Sequence, residues 1–312
     1  MDQKLSVGIL DFGYRGKMQA GKLLQDCIDY VLQADNLGFP HYWMGEHHGA
    51  GKGWSSPEML LPVLAGMTNN IHIGIAGILL RHYRPYQVAL NYKLLSTLFP
   101  GRIDLGLANG AIEEATAVRL GFLPAQVGLT GSQLFQQLTT ELMDCFDRNK
   151  NQEKFGLTLA PDNDNRPAVW RLSRSFSSFD ECLAGGLNLC VSTFHKEASA
   201  DCPKEKLLAF KEQFYSMHHR YPRINIAMAG IYTRNKQTVK QLENVYKNGA
   251  VSNFAVIGDM DVFREKLLHY HELLGVSEFT FLDLASSPRE RFKTLEQLAE
   301  LNVMASVNTS SI

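Results

Sequence analysis

Short apolar segments alternate with amphipathic helical stretches along nearly the whole chain, and this alternation restricts the fold more than any other feature. Apolar runs at 5–10, 42–45, 71–79, 102–107, 168–172, 187–192, 224–229 and 278–281 read as strands. After the first run, Leu23, Leu24, Cys27, Ile28, Val31 and Leu37 recur at helical spacing, and Gly38 falls where a helix takes its C-terminal glycine. Ser56-Pro57-Glu58 opens the next helix with a capping hydroxyl, a proline in the first turn and an acid after it. Further helical patterns cover 85–98, 131–146, 204–219 and 288–301. Strand–helix alternation implies a parallel sheet, and about eight such units suit a closed barrel better than an open doubly wound sheet. No Gly-x-Gly-x-x-Gly follows the first strand, which argues against a dinucleotide-binding fold. The expected fold is α/β: a single (β/α)8 TIM barrel over residues 1–312. The stretch 147–166, rich in Asn, Asp and Lys, is expected to be an exposed insertion after strand four.

A chain of 312 residues that is 45% hydrophobic can bury a core of that size. Charged residues make up 20% and the net charge is −1, which leaves no polybasic face for nucleic acid. No uninterrupted apolar run approaches ~18 residues, so no membrane span is expected. The N-terminus lacks a charged segment followed by an apolar one of signal length. Cys27, Cys145, Cys182, Cys190 and Cys202 are scattered, with no Cys-x-x-Cys pair. They read as reduced, mostly buried thiols of a cytoplasmic protein.

Chemistry-bearing residues collect where strands end. Tyr42-Trp43-Met44-Gly45-Glu46-His47-His48 runs from an apolar strand straight into titratable groups, as at the rim of a barrel. Neighbouring strand residues point to opposite faces, and no His-Glu-x-x-His occurs, so a metal site is not expected. Glu46 and His47 instead suit acid/base work, since a histidine can move protons near neutral pH; surface histidines on a loop are the plain alternative. Gly74, Ala76 and Gly77 either permit close packing or let a flat ring approach the backbone. Leu172-Ser173-Arg174-Ser175 precedes a helix. Two hydroxyls, a guanidinium and helix N-terminal amides suit a phosphate; an ordinary helix cap is the alternative. His82-Tyr83-Arg84 lies either at the pocket mouth or in a solvated loop. Trp43 and Trp170 are expected in the core, and His218-His219 in solvent.

Residues 5–11, Gly45-Glu46-His47-His48, Ser55-Ser56-Pro57, Gly74 to Gly77, Pro100 to Leu107 and Gly258 to Val262 occur in one order, within a span from 5 to about 301. On these motifs the chain resembles the bacterial luciferase-like family of flavin-dependent monooxygenases. The resemblance implies a TIM barrel that binds FMN in its reduced form. It implies that His47 sits beside the flavin and assists proton transfer, with Glu46 orienting the groups around it. It implies a cis peptide between Ala76 and Gly77 under the isoalloxazine ring, and a phosphate site formed by Ser173, Arg174, Ser175 and Asn109. The chain departs from the family pattern at Asn109, where arginine is common, and at Arg174, where small residues are common. The resemblance further implies a homodimer, a separate flavin reductase as partner, and a small organic substrate such as an aldehyde or natural-product intermediate. Two other readings stay open: a deazaflavin-dependent hydride-transfer enzyme, and a non-catalytic flavin-binding subunit.

Overall fold

The computed structural model describes residues 5–13, 18–49, 51, 53–120, 129–194, 202–247 and 255–307. The described residues hold nine strands: β1 (Ser6–Asp11), β2 (His41–Met44), β3 (His72–Leu79), β4 (Ile103–Ala108), β5 (Ala168–Ser173), β6 (Asn188–Ser192), β7 (Ile224–Tyr232), β8 (Val256–Gly258) and β9 (Glu278–Asp283). Eight of them close a ring, β1-β2-β3-β4-β5-β6-β7-β9 and back to β1, with every pairing parallel. β8 lies outside the ring and pairs with the end of β7, from Gly230↔Val256 to Tyr232↔Gly258. It comes from the late Gly258 motif and is too short to stand out as an apolar run.

The helices are α1 (Ala20–Asn36), α2 (Leu61–Met67), α3 (Pro85–Leu98), α4 (Glu114–Arg119), α5 (Gly131–Phe146), α6 (Arg148–Phe155), α7 (Phe179–Gly185), α8 (Lys204–His218), α9 (Lys236–Lys247), α10 (Met260–Leu274) and α11 (Pro288–Val307). The strands are apolar on both faces because alternate residues serve two cores. Along β1, Val7 and Ile9 join the large outer core, while Leu10 joins an inner cluster with Trp43, Trp170, Cys190, Ala229 and Leu282. Both tryptophans are therefore core residues, as expected.

The inner cluster stands on polar residues near the N-terminal ends of the strands. Trp43 and Trp170 donate their indole N–H groups to the two oxygens of buried Asp104, at 2.8 and 3.2 Å. His41 stacks on Trp43 with centroids 4.2 Å apart and pairs with Thr280 Oγ1 at 2.6 Å. Burial drives its pKa down to about 3, so the ring is neutral. Gly8 makes the room: a Cβ there would fall 2.1 Å from His41 Nε2.

The last helix is tied to the first strand. Asn302 on α11 bonds both the backbone N–H (2.8 Å) and the carbonyl (3.2 Å) of Val7. Arg291 Nη2 lies 3.2 Å from Asp11 Oδ1, and Tyr42 donates to Asp11 Oδ2 at 2.6 Å.

The stretch 147–166 is more ordered than its composition suggests. Asp147 caps α6 by accepting from the amides of Asn149 (3.0 Å) and Lys150 (3.1 Å), and Gly156 ends it at φ 63°. The chain then folds back on α3, where Lys93 donates to the carbonyls of Asn163 and Asn165.

Candidate active site

A cavity of about 690 Å³ opens at the C-terminal ends of the barrel strands. All eight residues singled out from the sequence line it: Glu46, His47, Ala76, Gly77, Asn109, Ser173, Arg174 and Ser175. Parallel strands aligned in register bring them together although the first and last are far apart in sequence.

At the end of β2, Glu46 is buried with both oxygens occupied. Oε1 accepts from His48 Nε2 (2.7 Å) and from the Tyr83 hydroxyl (2.8 Å), and Oε2 accepts from the Leu79 amide (2.9 Å). Burial and the adjacent carboxylate raise the Tyr83 pKa, so its hydroxyl stays a donor. Glu46 thus joins the β2 loop to the end of β3. His48, a member of the motif with no role assigned from sequence, is one of its partners. His82 lies behind the cavity wall, its Nε2 accepting from the Ile112 amide at 2.9 Å. Burial lowers its pKa, in keeping with a neutral acceptor. His82 and Tyr83 therefore fix the segments around the pocket, Arg84 is exposed as a solvated loop would have it, and none of the three lines the cavity.

His47 is half-buried, its ring edge-on to Phe12 with centroids 4.4 Å apart. Its backbone N–H donates to the Trp54 carbonyl at 2.8 Å, and its Nδ1 lies 3.3 Å from the Gly45 carbonyl. A proton on Nδ1 satisfies that carbonyl and makes Nε2 the basic nitrogen of the ring. Phe12 and Phe194, 6.3 Å apart, give this end of the cavity aromatic walls.

β3 bends at Ala76–Gly77. The peptide between them is cis, as expected, and the β3–β4 register shifts between Ile75 and Ile78. Gly77 is packed too closely for a side chain, since a Cβ would sit 2.6 Å from Leu172 and 2.7 Å from the Gly106 carbonyl. The cavity wall here is backbone and one methyl group.

The opposite end is rich in hydroxyls. Ser178 Oγ donates to Ser173 Oγ (3.0 Å), and Ser175 and Ser177 pair through their Oγ atoms (2.9 Å). Asn109 donates to Ser132 Oγ in the first turn of α5 (3.3 Å), while its buried Oδ1 has no partner. Arg174 is exposed at the rim. Sequence reasoning missed Arg171, which is buried in the cavity wall and ion-paired with Glu181 of α7. The available signal was its place two residues before Ser173, on the same face of β5.

All five cysteines are free and buried. Cys190 reaches the cavity, where burial raises its thiol pKa and disfavours the thiolate that a nucleophile needs. No cluster of metal-ligating side chains occurs among the described residues, and no described helix is long and apolar enough to cross a membrane.

Residues 6–121 match the luciferase-like monooxygenase family. The uncharacterized protein YwcH of Bacillus subtilis is 34% identical over 166 residues, covering 50% of this chain and 46% of that one. The N-acetyl-S-alkylcysteine monooxygenase of B. subtilis is 30% identical over 194 residues, covering 61% and 57%. The aligned part thus spans about half the length of these relatives. Among solved structures, apo-MsnO8 superposes with a TM-score of 0.79 at 21% identity, covering 97% of this chain and 99% of that one. The oxygenating constituent of 3,6-diketocamphane monooxygenase from Pseudomonas putida, solved with FMN, gives 0.72 at 16% identity, covering 96% and 98%. An F420-dependent secondary alcohol dehydrogenase gives 0.66 at 11% identity, covering 96% and 98%. At these identities the solved structures establish the shared barrel. Residues 6–121 are thus similar to the luciferase-like monooxygenase family, and the curated relatives carry the similarity beyond them.

Proposed function

We propose that the protein is an FMN-dependent monooxygenase that acts on a small organic substrate. One observation carries the reading: a single cavity joins a hydroxyl-and-guanidinium end, a wall of bare backbone and an aromatic end bearing a histidine. Those three parts fit the phosphate, the flat ring and the reacting edge of a flavin. Reduced FMN, when bound, supplies the activation of oxygen. Ser173, Ser175 and Asn109 would hold the phosphate end, with Arg174 at its exposed rim, and Ala76 and Gly77 would meet the ring. Phe12 and Phe194 would keep water from the reacting centre. His47 would take or return a proton there through its ring. Glu46 would act at one remove, fixing the loop that carries His47.

Partners follow from the same reading. A separate reductase would supply reduced FMN, since no dinucleotide fingerprint is present. Met59, Val63, Met67, Leu94 and Leu98 leave apolar side chains exposed on and beside α2 and α3, which supports a homodimer. A cytoplasmic location fits five free thiols. The test is anaerobic titration with photoreduced FMN, followed by oxygen uptake and product analysis with a generic flavin reductase and candidate aldehydes, thioethers and cyclic ketones. Tight FMN binding with substrate-dependent oxygen uptake supports the proposal; binding of F420 in place of FMN would transfer it to hydride transfer. Asn109 gives weight to a third reading, a non-catalytic flavin-binding subunit, because its amide cannot neutralise a phosphate as the arginine common in the family does. FMN binding without turnover of any substrate would leave the subunit reading.

A further inference from the structure

We infer that Arg171 is the cation that takes the cofactor phosphate, and that Glu181 competes with the phosphate for it. The inference rests on the FMN reading above. A phosphate monoester needs a cation as well as hydroxyls, and the two guanidinium groups on the cavity are Arg171 and Arg174. Arg174 is exposed, where water and salt weaken its pull. Arg171 is 6% exposed and sits directly below Ser173 on β5.

The surroundings of Arg171 show which partner can move. Its guanidinium is 4.6 Å above the Phe135 ring, donates to the Leu172 carbonyl and pairs through Nε with Glu181. Its side chain is 8% exposed against 28% for Glu181. Arg171 is thus fixed from three sides, whereas Glu181 has open cavity beside it. The first turns of α5, a helix of 16 residues, lie beside it: Ser132 accepts from the Asn109 amide nitrogen, and Phe135 carries the Arg171 guanidinium. Helix-terminal amides favour an anion there.

Without ligand, Glu181 neutralises a buried arginine that would otherwise be costly. With ligand, a phosphate and the Glu181 carboxylate face one guanidinium, and the carboxylate gives way toward the open cavity. Arg171 then tightens binding of a phosphorylated flavin and ignores an unphosphorylated one, while Glu181 limits how much is gained. The charge missing at Asn109 has moved to the floor of the site.

The test compares photoreduced FMN with photoreduced riboflavin by anaerobic calorimetry on four proteins: wild type, Glu181→Gln, Arg171→Met/Glu181→Gln and Arg174→Ala. The double variant replaces the pair by neutral groups, so no buried charge is left alone, and circular dichroism checks its fold; Arg171→Lys is the reserve if it does not fold. Glu181→Gln should bind FMN roughly three- to thirtyfold more tightly, because the competitor has lost its charge. The double variant should bind FMN roughly ten- to a hundredfold more weakly than wild type, and Arg171→Lys should lie between the two. Arg174→Ala should change FMN binding by less than about fivefold. Riboflavin should bind all of them alike. Unchanged FMN affinity in the double variant, or in Arg171→Lys if that is used, would overturn the inference, as would weaker FMN binding by Glu181→Gln. If wild type binds neither flavin, the FMN reading itself falls and takes the inference with it.

Discussion

Glu46→Gln tests whether Glu46 supports the site or takes part in proton transfer. Three donors converge on its carboxylate, the His48 ring, the Tyr83 hydroxyl and the Leu79 amide, at 2.7, 2.8 and 2.9 Å. A glutamine offers one acceptor oxygen. The Leu79 amide can only donate, so the oxygen must stay there, and the amide nitrogen must face His48 and Tyr83. Both can turn to accept, His48 by changing tautomer. All three contacts then change from charge-assisted to neutral bonds, a loss of about 1 kcal/mol each. Relief from burying a charge returns part of that sum, leaving a net cost of roughly 1–3 kcal/mol. The cost should be local, at the junction of the β2 loop with β3. Hydrogen exchange read at the Leu79 amide should speed up by about five- to a hundredfold, while amides in β5 and β6 stay protected. Turnover should fall, because His47 rides on that loop, but its pH profile should keep its shape. Unchanged Leu79 protection would refute the strut, and a lost limb of the pH profile would make Glu46 a proton carrier.

Other expected outcomes are independent of that one. His47→Gln should lower turnover by ~10²–10⁴-fold while leaving flavin affinity within a few-fold, as steady-state kinetics and titration would show. The His41 pKa is depressed to about 3 in the fold, so His41 contributes stability that is present above its ordinary value of 6.5 and lost as pH falls toward 3. Urea unfolding between pH 6.5 and 4.5 should lose about 2–3 kcal/mol to this residue, and His41→Gln should flatten that slope. Phenols at Tyr42, Tyr83 and Tyr92 have raised pKa values, so their contribution is present below their ordinary value of 10 and lost above it. Alkaline unfolding should therefore set in above about pH 10. Light scattering should give twice the 35.0 kDa mass of one chain, and Leu98→Lys should shift it toward monomer.

The barrel was legible because each strand is an apolar run bounded by helix caps, and because only a closed parallel sheet buries so many such runs. β8, where Val256-Ile257-Gly258 runs into Asp259 as a strand end would, stayed out of the strand count because three residues make no periodicity. α6 escaped because it has no apolar face. Its sequence, Arg148 to Phe155, is polar, and its ends are held by Asp147 and Gly156 rather than by a buried stripe. His218 was read as solvated, yet its ring packs on Phe214 at 4.6 Å and donates to the Leu183 carbonyl at 2.7 Å. Only His219 is exposed, ending α8 at φ 53°. At the site, Glu46, His47, Ala76 and Gly77 could be found because they stand together in short motifs. Arg171 could not, because in Val169-Trp170-Arg171-Leu172 it looks like one polar residue on a strand. Its meaning depends on Glu181 and Phe135, which only the fold brings near. The same holds for His41, Thr280 and Asn225, which meet across the barrel floor.

The central claim is that one cavity holds a flavin with its ring on Ala76–Gly77, its phosphate among the serines and its reacting edge toward His47. A crystal structure of the protein with FMN tests it most directly. The account predicts ring density in van der Waals contact with Ala76 and Gly77, phosphate density within hydrogen-bond distance of Ser173 or Ser175, and His47 at the edge of the ring. A flavin bound in the reverse sense, or outside the cavity at the C-terminal ends of the strands, would contradict it.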